Sequence, residues 1–437
     1  MELDKILSHK ILGYVVFLAL MWLMFFSTFI LGRYPQEGIL WLLEQLSLYI
    51  ASKMDKGLIY SFLSDGVIAG VGSVLSFLPN ILILFFFIYV FEETKYMQRV
   101  AKLLDNFMHK IGLHGNSFIP MLMGFGCNVP AILATKSIPD RKQRLLTMLL
   151  IPFMSCSARL PLLVLMIGTF FPENPLLVLF SLYFSGILIA IVTAILLNKF
   201  IFKTEEDLSP VLCDPLRKPP MRIVLKQMWE ATEEYLKKIG TVVLLAMMVI
   251  WFLSHFPQPK ETKIVQSTPS EQNTSIDSVS TLNVANYTSE IDSLDNPHET
   301  YMYKFGVFIT PIMKPLGFDW KMSVCLVSGL AAKEFIVGTM AVLYRLDDDS
   351  GENSTQIDQI RNAKHTYGPD KGKPVFTLPI ALSFLVFSMI YMPCIATFLA
   401  IKKESESWKW AFFSIIYSTS IAWIAAFVVF NVSKFFL

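Results

Sequence analysis

The chain has 437 residues, of which 54% are hydrophobic and 16% charged, and its formal net charge is +2. A soluble domain carries about a quarter charged residues, so this balance excludes an ordinary soluble globular protein and gives no electrostatic basis for binding nucleic acid. Five cysteines, at 127, 156, 213, 325 and 394, are too few and too scattered for a disulfide framework.

In chain order, "ILGYVVFLALMWLMFFSTFIL" (11–31) is too long for a leader's apolar region and reads as a first membrane span. With the short external segment that follows, it makes up 1–57. Residues 58–91 are apolar but punctuated by Gly66, Gly70 and Gly72, and Pro79-Asn80 is expected to split the run. Residues 92–115 have amphipathic helical spacing and are expected at the membrane interface. A broken element at 118–135 follows, then spans near 145–171 and 175–202. Segment 203–239 is a Pro-rich linker leading into a second amphipathic helix. A span near 240–255 leads to a Ser/Thr/Asn/Asp-rich loop at 256–300, where sequons occur at Asn273 and Asn286, with a third at Asn353. The last part, 301–437, holds an interfacial segment, an apolar element at 322–344, a polar loop and spans near 376–400 and 409–433. The pattern predicts an all-α, polytopic transmembrane helical bundle.

Lysine and arginine set the orientation. Segment 203–238 holds seven (Lys203, Arg217, Lys218, Arg222, Lys226, Lys237 and Lys238), whereas loop 256–300 holds two. The linker 203–239 is therefore placed in the cytoplasm and 256–300 outside. The basic run Lys136, Arg141, Lys142 and Arg144, two spans before the linker, falls on the same cytoplasmic side.

Sliding the chain against itself by 205 positions superposes Met108, Gly112 and Gly124 on Met313, Gly317 and Gly329 without gaps, and "GFGCNVPA" on "GLAAKEFI". Each copy then enters an apolar span interrupted by proline and cysteine, "PFMSCSARLP" and "YMPCIATF". Two broken elements at matching places in two halves mark a transporter binding site. An odd number of crossings between the copies makes them inverted repeats, containing broken or re-entrant helices. Shared glycine-rich composition is the competing explanation.

Chemistry concentrates at the breaks. Gly124, Gly126 and Pro130 spoil a lipid-facing helix, which is tolerated only where backbone is buried in protein or lines a wet cavity. Cys127 and Asn128 offer a soft sulfur and a hard oxygen there. Cys156, flanked by Ser155 and Ser157, and Cys394 after Pro393 repeat the theme, and such donors suit a divalent transition metal. Packing of cysteine as a small hydrophobe is the alternative, and the same holds for the neighbouring Met123, Met154 and Met392. Lys333-Glu334 is an intramembrane charge pair whose members cannot face each other on a helix, or else a pair at the interface. Arg159 either snorkels or contacts an anion or carboxylate. No P-loop, H-E-x-x-H, paired CxxC or G-x-S-x-G occurs, so nothing points to an enzyme.

"GVIAGVGSVLSFLPN", "GFGCNVPAILAT", "DRKQRLLTMLLIPFMSCSARLP", "SGLAAKEFIVGTMAVLY" and "YMPCIATFLAIKKE" together resemble the membrane portion of the ferrous iron transport protein B family. The resemblance implies Fe²⁺ as a transported substrate rather than a stably bound cofactor. It also implies multi-pass insertion in the cytoplasmic membrane of a prokaryote, with Gate-type repeats at 58–202 and 301–437. Its motifs place Cys127, Cys156 and Cys394 on the iron path; the residue chemistry adds Asn128 and Ser155 as further metal donors and Lys333, Glu334 and Arg159 as gating or coupling groups. Family members carry an N-terminal GTP-binding domain that this sequence lacks. Either a separate GTP-binding protein is the partner or the chain is a truncated or divergent copy; the other implied partners are a small SH3-like iron-transport accessory protein, the lipid bilayer and further copies of the chain. A nucleoside or other small-solute carrier and a non-transporting membrane scaffold are the alternatives.

Overall fold

The structure, a computed structural model, describes residues 12–54, 58–202, 215–237, 244–245, 248–249, 251–253, 256, 300–344, 356–364 and 372–436. The three sequons, Cys213 and most of the expected span at 240–255 lie outside these residues, as does nearly all of loop 256–300. Among the described residues there is no strand, only an isolated bridge between Lys364 and Pro374.

Helix α1 (Leu12–Phe26) widens into a π-turn at Ser27–Leu31, and α2 (Arg33–Lys53) follows at once. The expected short external segment is thus a 21-residue helix. Its apolar Leu40, Trp41, Leu42 and Leu46 are interrupted by Glu37 and Glu44, which hides it from a hydropathy reading. It lies along α3 (Ala69–Glu93). Helix α3 runs unbroken through Pro79, where a split was expected. A membrane helix tolerates proline because neighbouring groups and local winding adjustments re-satisfy the freed carbonyl, and a π-turn at Phe62–Ile68 precedes α3 directly.

The amphipathic segment forms α4 (Tyr96–Lys110), which buries Tyr96, Met97, Val100, Ala101 and Met108 while Lys102, Asn106 and Lys110 stay outside. Short helices α5 (Phe118–Met123) and α6 (Asn128–Ala134) flank the first break. Helix α7 (Arg141–Leu150) starts where the Asp140 side chain accepts the Gln143 N–H at 2.9 Å, a standard N-cap. Pro152 ends it, and after an irregular stretch α8 (Leu160–Phe170) resumes with Pro161 in its first turn. Helix α9 (Pro175–Leu197) is unbroken, and α10 (Met221–Tyr235) packs on α3.

The second half opens with α11 (Tyr301–Met313), α12 (Trp320–Ser328) and α13 (Phe335–Tyr344). A short α14 (Gln356–Asn362) lies against α8, where Arg361 donates to Thr169 O at 2.7 Å. Then come α15 (Leu378–Ile390), α16 (Ile395–Ser405) and α17 (Trp408–Phe436), with α15 packed extensively on α17.

The same local structures recur 205 residues apart. Tyr96 and Tyr301 begin α4 and α11, and His114 and Asp319 are side-chain N-caps. Gly112 and Gly317 sit between at φ +79° and +82°, a left-handed conformation costly for other residues. A Cβ on Gly317 would lie 2.8 Å from Ile380 Cγ1 and 2.9 Å from Phe430 Cε2. Gly317→Ala is therefore expected to lose about 1–2 kcal/mol from the backbone conformation alone, and more from overpacking. It should lower the melting temperature in detergent, whereas Gly338→Ala, with nothing within 4 Å of its Cβ, should not.

Among the described residues, four segments are long and apolar enough to cross a membrane: 141–170 and 378–405, taken across their breaks, and the unbroken 175–202 and 408–436. The broken pair is 61% and 72% buried over its most apolar stretch, the unbroken pair 22% each. The breaks therefore lie at the centre, and the unbroken helices take the periphery. The two apolar cores interlock the halves. Ala396, Ala400 and Ile401 of α16 pack among α3, α5 and α6, while α7 and α8 pack with α12 and α15.

Candidate functional site

Four interruptions converge at the centre. The first, Gly124–Cys127, follows α5, and Gly126 and Cys127 both donate their amides to Met123 O, at 3.0 and 3.1 Å. Cys127 is extended (φ −152°, ψ 132°) and leads directly into α6. The second, Met154–Cys156, separates α7 from α8, again with an extended cysteine (ψ 159°) before a helical turn. The third, at 329–334, separates α12 from α13. The fourth, Tyr391–Cys394, separates α15 from α16, where Pro393 biases Met392 to an extended conformation and Cys394 (ψ 161°) precedes the helix.

Each interruption leaves carbonyls without helical partners, and buried carbonyls require donors. Within each half the two breaks supply one another. Gly126 O accepts from Ser157 N at 3.3 Å and from Ser157 Oγ at 3.0 Å, and Leu330 O accepts from Ile395 N at 2.7 Å. Other carbonyls at the breaks are met by cations. The Arg159 guanidinium, 2% exposed, donates to Met389 O, to Tyr391 O at 3.4 Å and to Pro152 O at 3.5 Å. Buried as it is, it does not snorkel, and among the described residues it meets no carboxylate; it caps the end of α15, where carbonyl dipoles favour a cation. Lys333, also 2% exposed, donates to Met392 O at 2.8 Å, and its ammonium stands 3.2 Å from the Tyr391 ring centroid. The Tyr391 hydroxyl donates to Leu326 O at 3.2 Å, fixing that ring. Lys333 is thus buried within the protein, and among the described residues it makes no ion pair with the partly buried Glu334.

Cys127, Cys156 and Cys394 are each partly accessible, whereas Cys325 is buried within α12. Cys127 and Cys156 lie within electrostatic reach of Cys394 and Glu334, and Cys156 also of Arg159 and Lys333. Sequence positions separated by more than 260 residues are so gathered around one locus. Asn128, 5% exposed, carries a buried Oδ1 that accepts no hydrogen bond. Ser155, 1% exposed, donates to Met389 Sδ at 3.2 Å, and Cys394 Sγ lies 3.2 Å from Thr397 Oγ1. Met123 and Met154 are buried in the apolar cores. Among the described residues, no group of three or more His, Cys, Asp or Glu side chains stands in metal-holding geometry.

Met389 and Tyr391 were missed in the sequence, although Tyr391 lies inside a quoted motif, and Ser157 was noted only as a flank of Cys156. Their partners lie 31 to 234 residues away. The only local cue was a hydroxyl or an aromatic ring next to a helix-breaking proline.

An all-α bundle with central broken helices and apolar peripheral ones has the architecture of a multi-pass membrane protein. The Gate family profile, described as "Nucleoside recognition", matches residues 74–170 and 236–408, and "Ferrous iron transport protein B C terminus" matches 179–230. The chain belongs to the ferrous iron transport protein B family and corresponds to its membrane portion. It is 44% identical, over its whole length, to 52% of a Porphyromonas gingivalis protein named Fe(2+) transport protein A/Fe(2+) transporter FeoB fusion protein. It is likewise 39% identical to 66% of the Fe(2+) transporter FeoB of Campylobacter jejuni, and 35% identical to 59% of that of Staphylococcus aureus MW2, again over its whole length. The chain thus spans between half and two thirds of these relatives. No solved structure matches it significantly.

Proposed function

We propose that this chain carries Fe²⁺ inward across the cytoplasmic membrane of a prokaryote, with Cys127, Cys156 and Cys394 as transient ligands along the path. The convergence of three partly accessible cysteines on one locus, each in extended backbone immediately before a helical turn, carries this reading. Relatives named as Fe(2+) transporters support the choice of substrate. Asn128 Oδ1 supplies a hard oxygen beside the sulfurs, and Ser155 orients the second break through Met389. A site of mixed sulfur and oxygen donors with fewer than a full set of ligands releases its ion, which transport requires and storage does not. Selectivity then rests on donor mixture and availability, because affinity order alone favours copper and zinc at thiols.

In this reading 58–202 and 301–437 are inverted Gate-type halves, 203–239 is cytoplasmic and 256–300 extracytoplasmic. Arg159, Lys333 and Glu334 couple ion passage to movement of the breaks. A GTP-binding protein and a small accessory protein, of the kind fused in the Porphyromonas gingivalis relative, are the partners, and copies of the chain assemble in the bilayer. Ferrous iron supplied under reducing conditions should accumulate in cells expressing the chain, and a ferrous chelator should abolish the uptake. The name of the Gate profile makes a labelled nucleoside the control: nucleoside accumulation that is insensitive to the chelator overturns the iron reading.

A further inference from the structure

The two unbroken apolar helices, α9 and α17, meet at one end through an aromatic stack. Helix α9 winds into a π-turn at Asn198–Phe202, and the Phe202 ring lies on that of Trp410, in the first turn of α17, with centroids 5.4 Å apart and planes at 21°. The start of α7 joins them: Gln143 donates to Gly112 O at 3.2 Å, and Asn198 packs on the same glycine, where a Cβ would lie 2.2 Å from its Nδ2. Three chain segments thus come together at one edge, and each brings exposed cations. Lys199 follows Asn198, Lys409 precedes Trp410, and Arg141 and Lys142 precede Gln143. Among the described residues none of the four forms an ion pair. Two carboxylates of this end are engaged, Asp140 as the cap of α7 and Glu404 with the Lys136 ammonium at 3.3 Å. The exposed Glu406 is left against four cations.

Apolar surface adjoins this charge. Phe200 and Ile201 at the end of α9 are 70% and 46% exposed, and Phe412 and Ile416 on α17 are 53% and 65% exposed. Trp408, also 53% exposed, stands at the level of the cations, where tryptophan sits at a membrane–water boundary, and the Lys402 ammonium lies 4.9 Å from its ring centroid. We propose that this edge binds an anionic phospholipid, its phosphodiester held between Lys199 and Lys409 with Arg141 and Lys142 alongside, and its acyl chains on the exposed apolar side chains of α9 and α17. A lipid fits better than a soluble anion because the cationic and apolar surfaces are contiguous; free phosphate uses only the first. The basic segments place this end in the cytoplasm, whose leaflet carries anionic lipid and attracts lysine and arginine at the surface. The lipid bridges the ends of two peripheral spans, a role that does not depend on which solute the centre carries.

The test equilibrates the purified full chain, in detergent, with equal amounts of phosphatidylglycerol and phosphatidylcholine and counts the lipids retained by native mass spectrometry. The wild type should retain phosphatidylglycerol preferentially. Lys199→Glu/Lys409→Glu should weaken that retention at least about tenfold, and Lys199→Gln/Lys409→Gln, the gentler variant should the first fail to fold, should weaken it less. Lys434→Glu, also exposed but about 38 Å along α17 at its other end, should leave it unchanged. Equal retention of the two lipids by the wild type overturns the proposal, as does an equal loss in Lys434→Glu, which shows diffuse attraction rather than a site. Displacement of the lipid by inorganic phosphate alone shows a free-anion site and overturns it too. A double variant that keeps its lipid but loses solute uptake in cells shows that the face serves an acidic protein partner instead.

Discussion

Replacing Cys127 or Cys156 by serine should reduce Fe²⁺ uptake at least about tenfold while leaving the protein inserted and folded. Serine is nearly isosteric with cysteine but replaces a polarisable sulfur with a hydroxyl, a weak ligand at neutral pH. Losing even a group that only orients a metal ligand costs about 10–100-fold in affinity, so loss of a direct donor costs no less. Neither thiol is needed by the architecture. The backbone at Cys127 is fixed by its N–H bond to Met123 O, and that at Cys156 by the mutual bonding of the first two breaks. Cys325→Ser gives the contrast: that thiol is 1% exposed inside α12, so the substitution should lower thermal stability and leave uptake unchanged. Radioactive iron uptake beside a melting curve in detergent distinguishes the two outcomes. Normal uptake in both Cys127→Ser and Cys156→Ser removes the ligand assignment.

The position of the first break was legible in the sequence because Gly-x-Gly-Cys followed by proline violates helix chemistry locally. The second and fourth breaks were legible for the same reason, since Pro152 and Pro393 each remove a backbone donor. Pro79 shows where that rule fails. In an apolar helix packed by neighbours, one lost hydrogen bond does not terminate the element, and the sequence carries no mark of those neighbours. Helix α2 was hidden for the opposite reason: its charges at Glu37 and Glu44 depress hydropathy without disturbing helical geometry. The roles of Arg159 and Lys333 depended on partners that no local pattern reveals. Arg159 meets carbonyls 230 and 232 residues away, and Lys333 one 59 residues away. Their burial follows from composition: an intramembrane charge must find a partner. Which partner it finds is a property of the assembled fold.

Once that fold is assembled, cations cap helix ends throughout the bundle. Arg361 serves the end of α8, Lys321 that of α13 by donating to Leu343 O at 2.7 Å, and Arg217 that of α3 by donating to Glu93 O at 2.9 Å. The pattern has one physical origin. Each broken or terminated helix exposes carbonyls with partial negative charge that favour a cation, and where the helix end is buried no water replaces it. Arg159 and Lys333 are the central members of this set. The charges that crowd the cysteines are therefore first of all the means by which broken helices persist in an apolar environment.

The largest expected loss of stability follows from Arg159→Met. The substitution keeps most of the side-chain length but removes every donor, leaving Met389 O, Tyr391 O and Pro152 O without their cationic partner. A buried carbonyl deprived of its donor costs about 1–3 kcal/mol, so three together exceed the usual effect of a point substitution, about 0.5–3 kcal/mol. The loss should appear as a sharply lowered melting temperature and as aggregation on extraction into detergent. Arg159→Lys should recover only part of it. An ammonium donates from one point, whereas the guanidinium reaches carbonyls at two breaks with a planar fork. Lys333→Met should cost less, because it strands only Met392 O and forfeits one contact with the Tyr391 ring. Measured melting temperatures should therefore fall in the order wild type, Lys333→Met, Arg159→Met, with Arg159→Lys above Arg159→Met. A stable, monodisperse Arg159→Met protein would show that water or backbone rearrangement satisfies these carbonyls. Arg159 would then be free for the coupling role alone.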